Sequence, residues 1–164
     1  PKKHQQRPEL EFLLRAEQVL REANKISETD RQEEYALFLR ERAEAASHRR
    51  LFTEAETAVA QLEGMASHTP SAAIQHALSG ASGAVLLYEG NYDQALPLLE
   101  QDNENAFSLF RLAFANQKLG SEQSAQARLV TARSFSHPTA EQAFVDLSKT
   151  LERTRGAFLT AVHS

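Results

Sequence analysis

The sequence predicts an all-α protein, an antiparallel array of helical hairpins with about eight helices. Apolar residues recur at helical spacing along most of the 164 residues, and no segment shows the alternation that is typical of a strand. The six Gly and five Pro stand near helix junctions rather than in low-complexity runs. In addition, one pattern occurs twice between residues 77 and 132. These three observations favour a repeat architecture.

The repeated pattern is a helical run that ends at a glycine, Gly90 in the first copy and Gly120 in the second. A small residue and a large apolar residue follow each glycine at fixed distances, at Ala95 and Leu99 and at Ala125 and Leu129. Glycine supplies the backbone freedom needed to end one helix and begin another. The alanine allows the two helices to lie close together, so each copy predicts one hairpin. Stacked hairpins form a solenoid.

The first helices are predicted from start signals and apolar stripes. Pro8 suits a first helical turn, and leucines at helical spacing continue from it to about residue 25. The cluster at 27–30 favours a second helix, which ends near His48, and a third covers about 53–65. This pair is a degenerate third copy of the pattern. Ala55 takes the place of the small residue, and Arg50 stands where the turn glycine is expected.

The fourth helix is predicted to begin at 68–71 and to end near Tyr88, with Gly80 and Gly83 inside it. Each internal glycine costs roughly 1 kcal/mol relative to alanine. Close approach of another helix is the simplest explanation for Gly83. The remaining predicted helices are 91–101 with Pro97 in its second turn, a helix capped by 102–105 that ends near 119, 122–135, and 140–161.

The domain organisation that follows has three parts. Residues 1–28 are predicted to be a tail and a capping helix, residues 29–138 about three hairpins, and residues 139–164 a C-terminal capping helix. Because the chain opens at Pro1 without Met or a signal peptide, we expect it to be a piece of a longer protein.

The composition argues against some classes of binding partner but does not identify the cellular compartment. A formal charge of −4 gives no electrostatic footprint for nucleic acid, and no uncharged stretch reads as a membrane span. The absence of Cys excludes disulfides and thiol chemistry, and it allows a cytoplasmic or a periplasmic-type compartment. The compartment therefore stays unknown at this stage.

The two good copies resemble tetratricopeptide repeats over residues 76–138, with a weaker likeness over 36–70. The matching residues are Gly83 and Ala113 in helix A, Gly90 and Gly120 in the turn, Ala95, Leu99, Ala125, Leu129 and Ala132 in helix B, and Pro138 at the close. Ser79, Ser82 and Asp102 depart from the family pattern. The resemblance implies a right-handed superhelix whose concave face holds a protein partner. HEAT-type or other α-hairpin arrays are the alternative.

The candidate partner-binding site centres on a stripe in the sixth helix. Phe107, Phe110 and Phe114 lie at i, i+3 and i+7, on one side of that helix. We expect a groove for an apolar peptide or helix of a partner. The other residues predicted to line it are Gln117 and Lys118 at its rim, Ala84, Leu87 and Tyr88 on the fourth helix, and Arg40 on the second.

Other interpretations of the stripe remain open. The last helix could fold back and bury it under Phe144, Leu147 or Leu151, or the stripe could mediate homo-oligomerisation. An accessory domain of a larger protein, with the chemistry elsewhere, is a further alternative. Family members that clamp a C-terminal carboxylate use basic and Asn residues in successive repeats. Because only Arg40 fits that pattern, we predict no such clamp.

No catalytic role is predicted for this chain. There is no HExxH motif, phosphate-binding glycine loop or G-x-S-x-G elbow, and we expect no enzyme activity and no cofactor. Glu44 and His48 are one turn apart and could ligate a metal, but a solvated salt bridge is the commoner outcome. We therefore predict no metal site.

Overall fold

The computed structural model of the chain describes residues 26–134 and, before them, the helical residues 15, 17–19 and 22. Residues 26–134 form six helices and no strand, so the predicted all-α class is confirmed over this range. The helices are α1 (Glu28–His48), α2 (Phe52–Ala66), α3 (Ala72–Glu89), α4 (Tyr92–Gln101), α5 (Ala106–Lys118) and α6 (Glu122–Ser134). The predicted last helix lies outside the described residues, as does most of the first.

The three pairs α1–α2, α3–α4 and α5–α6 are hairpins, and the same type of turn connects the two helices in each. The residues in the left-handed turn position are Arg50, Gly90 and Gly120, with φ of 59°, 94° and 78°. In each turn, the following N–H donates to a carbonyl five residues earlier, from Leu51 at 2.9 Å and from Asn91 and Ser121 at 2.8 Å. This is the hydrogen bond of a Schellman C-cap. The turn predicted at both glycines is confirmed, and Arg50 adopts it despite its side chain.

Close packing within the hairpins follows the predicted small residues. Ala55, Ala95 and Ala125 are all buried. At Gly83, an added Cβ would lie 2.7 Å from Leu99 Cγ and 3.2 Å from the Leu99 backbone nitrogen. Real Cβ atoms do not approach so closely, so α4 can pack here only because α3 carries a glycine. The close approach expected at Gly83 is confirmed.

Helix α3 lies at the centre of the described structure. It packs against α1 and α2 on one side of the array and against α4 and α5 on the other. One apolar cluster fills the space between α1, α2 and α3, and a second joins the end of α3 to α4, α5 and α6. Among the described residues, no helix has the length and apolar character needed to cross a bilayer.

Candidate functional site

Four charged side chains from α1, the end of α4 and α5 meet inside the array. Arg40 Nε donates to Glu44 Oε1 at 2.9 Å, and Arg40 Nη1 and Nη2 donate to the two Asp102 oxygens at 3.2 and 2.5 Å. Arg111 Nη2 donates to Glu44 Oε2 at 2.7 Å. All four residues are buried. We call them, with Ser108, the charge network.

Ser108 and Gly80 complete the surroundings of the charge network. Ser108 Oγ donates to Asp102 Oδ2 and accepts from Arg40 Nη2 at 3.1 Å. A Cβ added to Gly80 would lie 2.5 Å from Asp102 Oδ2 and 2.9 Å from Arg40 Nη2. The absence of a side chain at position 80 of α3 therefore makes room for charged groups from α1 and from the α4–α5 turn. The charge network joins the first and third hairpins across the second.

The charges of the network cancel, with two arginines and two carboxylates. Burial alone would raise the pKa of Glu44, but Arg111 and Arg40 outweigh it and hold that pKa below its ordinary value. Burial raises the pKa of Asp102, because Arg40 and Ser108 offset the loss of solvent only in part. Burial would lower the pKa of both arginines, but Glu44 holds both above their ordinary value, with Asp102 contributing at Arg40. The network thus presents no uncompensated formal charge to a ligand.

Arg111 has one amino group that the network does not use. Its Nη1 is buried and has no hydrogen-bond partner among the described residues. Arg111 as a whole is 8% exposed, and its Cζ lies 5.9 Å from the ring centroid of Phe107. Phe107 itself is 37% exposed. An aromatic ring at the surface therefore lies next to a buried cation with a spare donor.

The three phenylalanines predicted to form the site lie on α5 and differ in exposure. Phe107 is exposed, whereas Phe110 and Phe114 are half-buried. The ring of Phe114 packs edge-on to Tyr92, with centroids 6.1 Å apart, and Lys118 Nζ lies 5.4 Å from the Phe114 centroid. We call Phe107, Phe110 and Phe114 the phenylalanine face. Whether 140–161 covers it concerns residues outside the described range.

Three of the other predicted site residues lie inside the structure instead of at its surface. Ala84 and Leu87 are 0% and 4% exposed, and Arg40 is held by Glu44 and Asp102. They offer a partner almost no surface, because the neighbouring helices enclose Ala84 and Leu87 and the charge network holds Arg40 inside. Tyr88 is half-buried and packs edge-on to His48 at 5.5 Å between centroids, and Gln117 is half-buried as well.

The sequence did not predict the charge network. Asp102 was expected only as part of a helix cap, yet it is buried, and the cap of α5 is Asn105, which accepts from two backbone N–H groups. The available signal was Asp102 itself, which departs from the pattern of the family that the two copies resemble. Glu44 pairs with two arginines rather than with His48, and no cluster of metal-binding side chains occurs in the described part of the chain.

Comparison with known proteins identifies no relative of this chain. The chain matches no family model, and neither a curated protein nor a solved structure is significantly similar to it. The fold and the site together define an all-α array of helical hairpins with a buried, electrically neutral charge network and a partly exposed aromatic face.

Proposed function

We propose that this chain is a protein-interaction module, a tetratricopeptide-like scaffold that binds an apolar segment of a partner on the phenylalanine face. The observation that carries the proposal is the exposure of Phe107 on a helix whose other side is already in the core. Leu109 and Leu112 anchor α5 in the core from its other side, so Phe107 is not needed to hold α5 in place. Exposed aromatic side chains are enriched at sites that bind other proteins.

The neutrality of the charge network supports an uncharged partner segment. Arg40, the residue that would suit a carboxylate clamp, already has both terminal nitrogens bonded to Asp102. A partner carboxylate would have to displace Asp102 and leave that aspartate buried without its partner, which is costly. An apolar peptide or helix needs no such exchange. The proposed role is binding rather than catalysis.

The test uses 15-residue peptides selected from a random displayed library against the folded chain. We expect apolar peptides without a cluster of acidic residues. The double variant Phe107→Ala/Phe110→Ala should bind them at least roughly tenfold more weakly, since aromatic anchors dominate interface energies. Circular dichroism should show that the variant stays folded. The matched control is Val130→Ala, which removes an exposed apolar side chain from α6 and should leave affinity unchanged.

Two results would contradict the proposal. Selected peptides could bind equally well to the double variant, which would place the site elsewhere. Alternatively, light scattering could show a concentration-dependent oligomer of the wild-type chain that the double variant abolishes. That result would assign the phenylalanine face to a second copy of the chain instead of a different protein.

A further inference from the structure

We propose that Arg111 binds an uncharged carbonyl oxygen of the partner segment through Nη1, once the ring of Phe107 turns aside. This inference rests on the proposed function, because it names the polar group that accompanies the apolar partner segment. The chemical class of the ligand is an amide carbonyl next to an apolar group. A backbone carbonyl or an Asn or Gln side chain of a partner supplies such an oxygen.

The unpaired Nη1 is the first observation. Arg111 Nη2 donates to Glu44 at 2.7 Å, whereas Nη1 is buried with no acceptor among the described residues. Buried donors are almost always paired, and an unpaired one calls for an explanation. The Arg40 nitrogens, the Glu44 and Asp102 carboxylate oxygens and Ser108 Oγ all have partners within the charge network. Nη1 is therefore a buried donor to which an acceptor can be added without breaking a bond.

The position of Arg111 on α5 is the second observation. Residues four apart on a helix are neighbours on one face, and so are residues three apart. Arg111 follows Phe107 by four residues and precedes Phe114 by three, so it lies within the phenylalanine face. The Phe107 ring, 5.9 Å from Arg111 Cζ, is the more exposed of the two groups. Exposed side chains change rotamer within nanoseconds, so rotation of this ring gives a partner atom a path to Nη1.

Local charge decides between a neutral and an anionic acceptor. Arg40 and Arg111 are balanced by Glu44 and Asp102 within the network. Burial alone would lower the pKa of Arg111, but Glu44, Tyr88 and Glu41 together hold it above its ordinary value. The network therefore has no net positive charge to attract a partner carboxylate, whereas an amide oxygen needs only the free donor.

Three small probes with the same phenyl ring test the inference: N-methyl-2-phenylacetamide, phenylacetate and ethylbenzene. Each is titrated into the wild-type chain and followed by the NMR signals of the α5 amides. We expect the amide to bind about tenfold more tightly than ethylbenzene, the effect of one added hydrogen bond to a charged donor. Phenylacetate should bind more weakly than the amide.

The variant Arg111→Lys is the matched control. Its single nitrogen pairs with Glu44 and leaves the position of Nη1 without a donor, so the preference for the amide over ethylbenzene should disappear. Binding of ethylbenzene itself should stay within about twofold of the wild-type value, because the apolar contact is kept. If Arg111→Lys does not fold, the Nε–Hε signal of wild-type Arg111 decides instead. It should shift with the amide and stay in place with ethylbenzene.

The outcomes separate the two proposals. Equal affinity for the amide and ethylbenzene, or a preference for the amide that survives in Arg111→Lys, overturns the role of Nη1 and leaves the docking face standing. Tighter binding of phenylacetate than of the amide overturns the assignment of a neutral acceptor. Failure of all three probes to shift the α5 signals contradicts both the inference and the proposed function.

Discussion

Helix α3 contains two glycines three residues apart, Gly80 and Gly83, and their neighbours are charged at the first and apolar at the second. Gly83 makes room for Leu99 of the same hairpin, and the contact is apolar. Gly80 makes room for Asp102 and for Arg40, which belongs to another hairpin. The same missing side chain thus serves apolar packing at one position and charge pairing at the other. Packing within a hairpin is local and apolar, whereas the connection between distant hairpins is polar.

The apolar contact at Gly83 and the charged contact at Gly80 are two regions that should respond differently to mutation. A shortened apolar side chain leaves a cavity whose cost depends on how far its neighbours relax. A buried charge that loses its partner cannot relax in this way, because no water reaches it. The predictions below use this difference, from the largest expected effect to the smallest.

Replacement of Arg40 should have the largest effect. Arg40→Met leaves Asp102 and Glu44 buried with fewer partners, and we expect a loss of about 3–5 kcal/mol in the free energy of unfolding. Urea denaturation measures it. Arg42→Met, on the same helix and outside the charge network, should change stability by no more than about 0.5 kcal/mol. Equal losses in both variants would show that the network contributes nothing specific.

Alanine at the two α3 glycines should destabilise the fold by about 1–3 kcal/mol each through overpacking. Gly64→Ala is the control: nothing lies within 4 Å of its added Cβ, so the gain in helix propensity should stabilise α2 by about 0.5–1 kcal/mol. Leu99→Ala is then combined with each of the two glycine substitutions. It should reduce the cost of Gly83→Ala, because it removes the side chain that clashes there. At Gly80 the costs of the two substitutions should simply add. Relief at both positions would contradict the division into two regions.

The turn at Arg50 offers a smaller, stabilising change. Its φ of 59° is costly for a residue with a side chain, so Arg50→Gly should raise the free energy of unfolding by about 1 kcal/mol. The reciprocal change Gly90→Ala should lower it by a similar amount. Thermal unfolding of the two variants measures both. A loss of stability in Arg50→Gly would mean that the arginine side chain contributes more than its backbone conformation costs.

The smallest expected effect is the pH dependence of the charge network. The pKa of Glu44 is lowered on folding, so its stabilising contribution is present above its ordinary pKa, about 4.3, and is lost as pH falls through the lower folded value. The pKa of Asp102 is raised, so its contribution is present below its ordinary pKa, about 3.9, and is lost as pH rises.

Unfolding of Glu44→Gln and Asp102→Asn between pH 3 and 6 tests these opposite signs. On acidification, the stability difference between the wild type and Glu44→Gln should shrink, and the difference for Asp102→Asn should grow. Parallel changes in the two differences would show that one of the two pKa directions is wrong. Ser108→Ala removes a hydrogen bond that lowers the pKa of Asp102, so in that background the difference for Asp102→Asn should grow more on acidification.

The hairpins could be predicted from the sequence because their determinants are close together in the chain. A turn residue in the left-handed region and a small residue five positions later are enough to define each pair, and the weak copy at Arg50 and Ala55 follows the same rule. Such spacings reflect the geometry of one helix end and the next helix start. No knowledge of distant residues is needed.

The charge network could not be predicted in the same way. Arg40 and Asp102 are 62 positions apart, and Glu44 and Arg111 are 67 apart. Nothing in the local spacing of these residues indicates that they pair, so the sequence places Arg40 in the predicted groove instead of in the interior. Only the approach of α1 and α5 over the small residues of α3 buries it. Of the predicted site, the sequence correctly placed Phe107, Phe110 and Phe114 on one helix, whereas their binding role stays a prediction.

The charge network also bears on how the array comes apart. In most helical-repeat proteins each unit touches only its immediate neighbours, and the end units can fray while the rest stays folded. Here the bonds of Arg40 and Arg111 tie the outer two hairpins to each other directly. Opening either end breaks the buried Glu44–Arg111 ion pair and the Arg40–Ser108 hydrogen bond, so we expect the three hairpins to gain or lose their order together. A few polar contacts thereby give a modular chain the cooperativity of a single globular unit.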